Sequence, residues 1–553
     1  MKYWLQSILL LFAFHAVAQP LHSRYFVAFN DKEGNRFSLE QPAAFLSVKS
    51  LERRQKQHIP VTIEDLPVSS TYVQDVHSAG TLVICTSKWM NGIVVETDDA
   101  QVIAGIAAMP FVREVRSLCN PALEPSRIQK FTPAESQANN GRVGSSFRIS
   151  SFNYGLSANQ VQMIHCDYLH DSGFDGAGKI IALLDAGYYR VDSLDAFDSI
   201  RINNKILGTW DFVQNEAEVY NDDSHGMEVL SCIAANIPGT LVGTAPQASF
   251  FLLRTEDNSS ETIVEEYYWA AGVEYADSAG ADIISTSLGY NTFDDATQNH
   301  TYSDMDGHTT VAALAANHAA SVGMLVVASA GNYGAGSWNY ITTPADADSA
   351  MAIGAVGPTG TYWPSSSNGP SSDGDVKPNV ATQGQDAAIF FPGNYAAPAS
   401  GTSFAAPILA GAAACLWQAF DTLTNMEIFH AIESSASQFT FPDTLLGYGI
   451  PNFMSAFTLL HTHSISLPAA EGIVSVFPVP LQHDLNIIFN SRSTSDGLIK
   501  IVDALGRLVF SQELELRPGL QQIYLPSLAW SKGAYFLSIY SDDGVYSQAV
   551  IKN

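Results

Sequence analysis

The sequence predicts an α/β protein: a mostly parallel sheet with helices on both faces, preceded by a small α+β module and followed by a small antiparallel β-sandwich. Three patterns carry this. From residue 154 to 462, short apolar runs at 179–184, 281–285, 324–328 and 351–356 alternate with helical stretches such as 261–279 and 309–322. Runs this short, without polar alternation, suit strands buried on both faces, and their alternation with helices makes the strands parallel. Residues 19–120 mix strands with two helices. Residues 470–553 carry short alternating stretches separated by turns, the pattern of a β-sandwich.

In the first module, 24–29 reads as a strand, 43–57 as a polar-faced helix, 81–86 and 92–96 as strands, 99–109 as a helix and 111–115 as a closing strand. Residues 121–153 lose all hydrophobic period and are rich in Pro, Ser, Asn, Gln and Gly, which predicts an exposed, protease-sensitive linker. In the last module, strands are expected over 485–489, 498–502, 508–510, 521–525, 535–540 and 545–551. Residues 1–18 carry Lys2, an apolar run and the ending Ala16-Val17-Ala18, the layout of a secretory signal peptide cleaved after Ala18. No other stretch reads as long and apolar enough for a transmembrane span.

Composition narrows the function. Apolar residues make up 46% and charged residues 15% of 553 positions, so large cores are expected. With 27 basic against 55 acidic residues the net charge is −28, which argues against nucleic acid and anionic membranes as partners. An acidic total is compatible with structural Ca²⁺ but marks no site, and the acidic insert at 291–308 lacks EF-hand spacing and reads as a solvated surface loop. Five scattered cysteines form no disulfide framework and no zinc motif; Cys232 and Cys415 read as small buried hydrophobes.

In a parallel sheet, chemistry gathers at the carboxyl ends of the strands. Asp185 directly follows the run 181–184, His225 opens an apolar helix, Asn332 follows the strand at 324–328, and Ser403 in Gly401-Thr402-Ser403-Phe404-Ala405-Ala406-Pro407 starts an alanine-rich helix. Pro407 is expected in the early, proline-tolerant part of that helix. Taken singly these are ordinary turn and cap residues. Together, the order Asp, His, Ser is one of three in which a nucleophilic triad recurs on unrelated folds. Ser403 Oγ needs a neutral imidazole to take its proton, Asp185 would orient that imidazole, and Asn332 with the Ser403 N–H would hold a developing oxyanion.

The segments Leu184-Asp185-Ala186-Gly187, Ser224-His225-Gly226-Met227, Ser287-Leu288-Gly289, Ala328-Ser329-Ala330-Gly331-Asn332 and Gly401 to Pro407 resemble those of the subtilases. The resemblance implies a subtilisin-like fold over roughly 160–460 and a serine endopeptidase working through an acyl-enzyme, with no cofactor in the chemistry. It implies that Ser287, Leu288, Gly289, Ala328, Ser329, Ala330 and Gly331 bind substrate. Ala186 departs from the usual Thr or Ser, removing a hydroxyl that would support the Asp185 carboxylate. Glu228 stands where many members have histidine. Residues 24–116 resemble a subtilase propeptide, an intramolecular inhibitor of a zymogen. Residues 470–553 resemble a type IX secretion sorting domain, through Val476-Phe477-Pro478-Val479-Pro480 and Gly533-Ala534-Tyr535-Phe536-Leu537. Protein or peptide substrates, the chain's own propeptide and the type IX machinery are the implied partners, and the implied location is extracellular or cell-surface attached. The alternative is a catalytically decayed binding module on the same scaffold.

Overall fold

The computed structural model describes residues 22–119, 130, 152–464, 472–477, 485–491, 494–516, 519–525, 530–542 and 544–552. The signal-peptide reading, and the linker reading except at Lys130, Phe152 and Asn153, lie outside these residues.

The N-terminal module runs β1 (Arg24–Phe29), α1 (Val48–Lys56), α2 (Ser70–Ser78), β2 (Leu82–Ser87), β3 (Gly92–Glu96), α3 (Ala100–Ala107) and β4 (Val112–Cys119). Its strands form an antiparallel sheet in the order β2-β3-β1-β4. Strand side chains alternate between faces. Val27, Phe29, Ile93 and Val95 therefore pack on Val76 of α2 and Ile106 of α3, while Phe26, Ala28 and Val94 face away into the central unit's core. Two elements differ from the sequence reading. The helix expected from residue 43 starts at Val48, because the Ser47 hydroxyl caps it by accepting from the Ser50 N–H at 3.2 Å. Helix α2 was not anticipated: it buries only Val76 completely, too narrow a stripe to register as periodicity.

The central unit contains α4 (Ala158–Met163), α5 (Cys166–Asp171), β5 (Ile180–Asp185), α6 (Asp198–Ile202), β6 (Ile206–Asp211), α7 (His225–Ala234), the hairpin β7 (Asn236–Ile237) and β8 (Leu241–Val242), β9 (Ser249–Arg254), α8 (Val264–Ala279), β10 (Ile283–Thr286), α9 (Val311–Ser321), β11 (Leu325–Ser329), β12 (Ala350–Val356), β13 (Val380–Gln383), the hairpin β14 (Ala387–Phe391) and β15 (Tyr395–Ala399), α10 (Thr402–Ala419), α11 (Asn425–Ser434) and α12 (Phe453–Ser464). Seven strands form one sheet, ordered β13-β12-β11-β10-β5-β9-β6, and its neighbours pair in parallel. On one face Ile181, Leu183 and Val327 meet α7 and α10. On the other, Ala182, Leu184 and Val326 meet α8 and α9. Helix α10 spans 18 residues and is, by length and composition, apolar enough to cross a bilayer, which amends the sequence reading; here it is a core helix buried along nearly its whole length. Cys232 and Cys415 are buried thiols, and Cys166, His170 and Cys415 bring their ligand atoms within 4.8 Å of one another beneath α10.

The C-terminal unit comprises β16 (Gly472–Phe477), β17 (Leu485–Ser491), β18 (Ser495–Asp503), β19 (Leu508–Leu516), β20 (Gly519–Leu525), β21 (Gly533–Ser541) and β22 (Gly544–Lys552). Two antiparallel sheets, β16-β17-β20 and β19-β18-β21-β22, enclose a core that includes Leu485, Ile487, Phe489, Ile499, Ile501, Leu537 and Ile539.

Helix α8 joins the first two units through buried charge. Asp277, wholly buried, accepts at Oδ1 from Arg53 Nη2 at 2.5 Å and Arg54 Nη1 at 2.7 Å, and at Oδ2 from Lys88 Nζ at 2.6 Å. Glu274, one turn earlier, accepts from Ser87 Oγ at 2.6 Å and from the N–H groups of Lys88 and Trp89 at 2.7 and 3.1 Å. Burial alone would raise the Asp277 pKa, but Lys88, Arg53 and Arg54 hold its carboxyl well below the usual carboxylate range. A depressed folded pKa contributes stability that is present above the unfolded value near ~3.9 and lost as pH falls through the folded one. Asp277→Asn leaves the three cations undercompensated, so docking of residues 24–119 should weaken by about 3–5 kcal/mol. Hydrogen exchange across α1 and β2 reads this directly; protection equal to that of the unaltered chain would rule it out.

Candidate active site

Asp185 ends β5 in the middle of the sheet and is fully buried. Its Oδ1 accepts from the Ala186 N–H at 2.8 Å and lies 2.6 Å from Nδ1 of His225. His225 is the first residue of α7, and its backbone N–H donates to Asp223 Oδ1 at 2.7 Å, an Asx turn that sets the helix start. Gly226 lets this start press against the β5 loop: a Cβ there would fall 2.4 Å from Gly187 O and 2.8 Å from Asp185 Cβ. The other carboxylate oxygen, Asp185 Oδ2, is buried and takes no hydrogen bond among the described residues. It belongs to the carboxylate beside Ala186, where the missing hydroxyl was expected to matter.

Burial acts to lower the His225 pKa, but the charge and hydrogen bond of Asp185, with Glu228 and Asp223 adding to them, raise it above the ordinary imidazole value. Glu228 lies one turn along α7 and is itself buried, which pushes its carboxyl up to about 7 despite the nearby His225 and a 3.1 Å hydrogen bond from Ser224 Oγ.

Ser403 is the second residue of α10, behind Gly401. First-turn N–H groups have no partner within a helix and carry its positive dipole end. Pro407 is the sixth residue of α10 rather than part of its tolerant first turn, which corrects the sequence reading. A proline there leaves the carbonyl four residues back without its helical donor. That carbonyl belongs to Ser403, and Ser287 Oγ donates to it at 2.8 Å. The helix interruption thus ties Ser403 to the 287–289 segment.

Asn332 follows β11. Its Oδ1 accepts from the backbone N–H and the hydroxyl of Thr402, both at 2.9 Å. Because a backbone N–H only donates, the amide oxygen must face Thr402, which leaves the NH₂ end to the cleft. Thr402 Oγ1 in turn accepts from the Gly331 N–H at 3.3 Å. Thr402 was visible in the Gly-Thr-Ser motif, yet its positioning of Asn332 depends on a contact across 70 residues.

His225, Asn332 and Ser403 line one cleft of about 640 Å³, together with Ser287, Leu288, Gly289, Ser329 and Gly331. Gly289 is required by close approach, since a Cβ would sit 2.1 Å from Thr342 Oγ1. Ala328 and Ala330, also expected at this wall, are fully buried, and Ala328 packs with Ala345 and Ala352. Alternation along the end of β11 and the residues just after it accounts for the difference: Ser329 and Gly331 line the cleft, while Ala328 before them and Ala330 between them are turned into the core.

Sequence reasoning missed an acidic end of the same cleft. Lys130, Glu256 and Glu261 line it. Lys130 Nζ forms ion pairs with Glu265 Oε1, with Glu261 Oε2 at 3.3 Å and with Glu256 Oε2 at 3.4 Å. The signal was the run of four glutamates and an aspartate from 256 to 266. Within the insert at 291–308, Asp295 and Asp304 cap short turns and Asp306 accepts from the N–H groups of His308 and Thr309, while Asp294 reaches out to accept from the Glu261 N–H at 3.0 Å.

Residues 176–449 match the subtilase family, 24–133 the peptidase S8 propeptide domain of Bacteroidota, and 475–553 the secretion system C-terminal sorting domain. The last of these makes the protein secreted or attached to the cell surface. Over 289 residues the chain is 32% identical to subtilisin E of Bacillus subtilis (strain 168), covering 51% of this chain and 66% of that protein. It is 28% identical over 280 residues to subtilisin DY of Bacillus licheniformis, covering 50% of this chain and 90% of that one. At 31% identity over 289 residues, with 51% of this chain aligned to 91% of a subtilisin of Bacillus pumilus, the chain belongs to the subtilase family.

Proposed function

We propose that the protein is a serine endopeptidase, made as a zymogen, that cuts peptide bonds through an acyl-enzyme. The observation that carries this reading is the 2.6 Å contact between Asp185 Oδ1 and His225 Nδ1, at a cleft that also holds Ser403 and Asn332. With Nδ1–H donated to Asp185, the lone pair of His225 lies on Nε2. Nε2 takes the Ser403 proton as Oγ attacks the scissile carbonyl. The tetrahedral oxyanion receives hydrogen bonds from the Asn332 NH₂ group and the Ser403 N–H, beside the positive end of α10. The imidazolium, stabilised by Asp185, then protonates the leaving amine. Water enters, His225 takes its proton, and attack on the ester frees the new carboxylate and regenerates Ser403. Every transfer uses a side chain of this chain.

Residues 19–120 act in this reading as folding aid and inhibitor, removed by cleavage in 121–153. Residues 470–553 address the protein, covering 154–462, to a type IX export machinery. The propeptide match and the buried ion pairs on α8 support the first role, and the sorting-domain match supports the second. A decayed binding module would have no use for an oriented imidazole sharing a cleft with a serine.

Three outcomes test the assignment. Ser403→Ala should lose about a millionfold in kcat, by comparison with the serine of a subtilisin, and lose labelling by a fluorophosphonate; retained hydrolysis would refute the triad. Asn332→Ala should lower kcat by roughly 100- to 1,000-fold with KM little changed, a magnitude carried over from the equivalent subtilisin donor. Glu228→Gln removes a carboxyl that, to the extent it is ionised near its pKa of about 7, raises the His225 pKa. Since His225 must be neutral to accept a proton, the acid limb of the kcat/KM profile should move to lower pH. A limb that stays put or rises would show that Glu228 does not act on the base.

A further inference from the structure

The acidic end of the cleft is already occupied by a side chain that belongs to neither packed unit. Strand β4 closes the N-terminal module at Cys119 and α4 opens the central unit at Ala158. Lys130 lies between them in the segment read as linker, near the end of the propeptide match at residue 133. A lysine in such a polar segment would ordinarily keep its ammonium in water. Here its side chain is only 6% exposed, facing Glu256 and Glu265, which are 3% and 0% exposed, and Glu261 at 24%.

The carboxylates are fixed by other donors. Tyr290 O–H donates to Glu256 Oε1 at 2.5 Å, and the N–H groups of Asp257 and Thr262 donate to the two oxygens of Glu265 at 2.8 and 3.1 Å. The socket is therefore shaped by β9, its following loop and α8, with Lys130 as guest. Burial acts to lower the Lys130 pKa, but Glu265, Glu256 and Glu261 outweigh it and keep the ammonium charged. Without that cation, three clustered carboxylates would face each other in a poorly hydrated space, an arrangement that carries a large penalty.

Position gives the socket its use. It shares one cleft with His225, Asn332 and Ser403. The strand order β11-β10-β5-β9 puts β9 and β11 on opposite sides of β10. The socket therefore lies on the far side of Ser287–Gly289 from Ser329 and Gly331, apart from the space those two segments share. We infer that this socket is a substrate subsite selective for a lysine or arginine side chain, and that Lys130 is its built-in first occupant. The inference rests on the peptidase reading for the word substrate, and on the ion pairs alone for its selectivity. A basic side chain satisfies the carboxylates, a neutral one leaves them unpaired, and an acidic one adds a fourth like charge. Lys130 thereby keeps the subsite filled until it is displaced.

The test separates recognition from catalysis. The full chain carrying Ser403→Ala and Lys130→Ala is titrated with a fluorescent synthetic peptide of residues 124–136, and with the same peptide carrying Lys130→Met or Lys130→Glu. The lysine peptide should bind about tenfold or more tightly than the methionine peptide, and the glutamate peptide more weakly still. The preference should shrink with added salt and vanish when Glu256→Gln and Glu261→Gln are introduced. Equal binding of all three peptides overturns the inference, as does a lysine preference that survives the double glutamine change. Binding of the lysine peptide only after chelation, with Ca²⁺ displacing it, would assign the socket to a divalent cation and overturn it equally. None of these readouts requires turnover, so failure of the peptidase reading would appear separately, as absent labelling of Ser403.

Discussion

Four carboxylates buried on one helix are tolerable only if each meets a donor, and α8 meets that condition almost entirely with groups from other parts of the chain. Glu265 pairs with Lys130, Glu266 accepts from the Ala312 N–H at 3.0 Å and faces His300 Nε2 at 2.5 Å, Glu274 takes three donors from 87–89, and Asp277 takes Arg53, Arg54 and Lys88. Taking one partner from such a pair costs more than the pair itself contributes, because the remaining charge is stranded. Loss of the N-terminal module is therefore coupled to rehydration of the C-terminal half of α8. At the other end of the helix, loss of Lys130 uncovers Glu265 within the cleft wall. One helix thus reports both on whether the module is docked and on whether the cleft is filled.

The reaction centre is assembled by a different constraint, the common carboxyl edge of a parallel sheet. Asp185 ends one strand, Asn332 follows another, and two helices that begin at this edge supply His225 and Ser403. What turns proximity into fixed geometry is a set of hydrogen bonds that use up the alternatives. Asn332 is oriented because Thr402 claims its oxygen. Ser403 is anchored because Pro407 frees its carbonyl and Ser287 takes it. A proline that looks unfavourable by helix propensity becomes a joint between Ser403 and the 287–289 segment.

The three-part architecture, and the gathering of Asp185, His225, Asn332 and Ser403 at one edge of the sheet, were legible because each rests on local rules: apolar period, strand ends and helix starts. The registers inside those elements were less legible. Ala328 and Ala330 stood in a motif that lines a groove as a whole, and only strand alternation divides it into cleft and core residues. Helix α2 carries too few buried residues for its period to stand out, and Ser47, not the apolar residues before it, decides where α1 begins. Lys130 was beyond reach, since nothing in a Pro- and Ser-rich segment announces that one lysine enters a glutamate socket more than 120 residues away in sequence. Composition predicts the solvation of a segment on average; a single buried ion pair is a tertiary fact.

The same charge distribution sets two demands on the cleft against each other. Glu228 and Asp185 beside His225, and Glu256 and Glu261 further along the wall, favour cations, which in the proposed mechanism are the imidazolium of each acyl step and a basic substrate side chain. They oppose the oxyanion, which carries their own sign. Coulomb energy falls as the inverse of distance, so the contest is decided locally. Donors within hydrogen-bond reach, the Asn332 amide and the first-turn N–H groups of α10, act at about 3 Å, where glutamates across a solvated cleft are screened. In that mechanism Ser403 acts from a helix N-terminus, while Glu256 and Glu261 lie in the loop after β9 and Glu265 at the start of α8. On the proposed mechanism, an acidic wall can select the substrate without suppressing the chemistry because the donors at the oxyanion act locally.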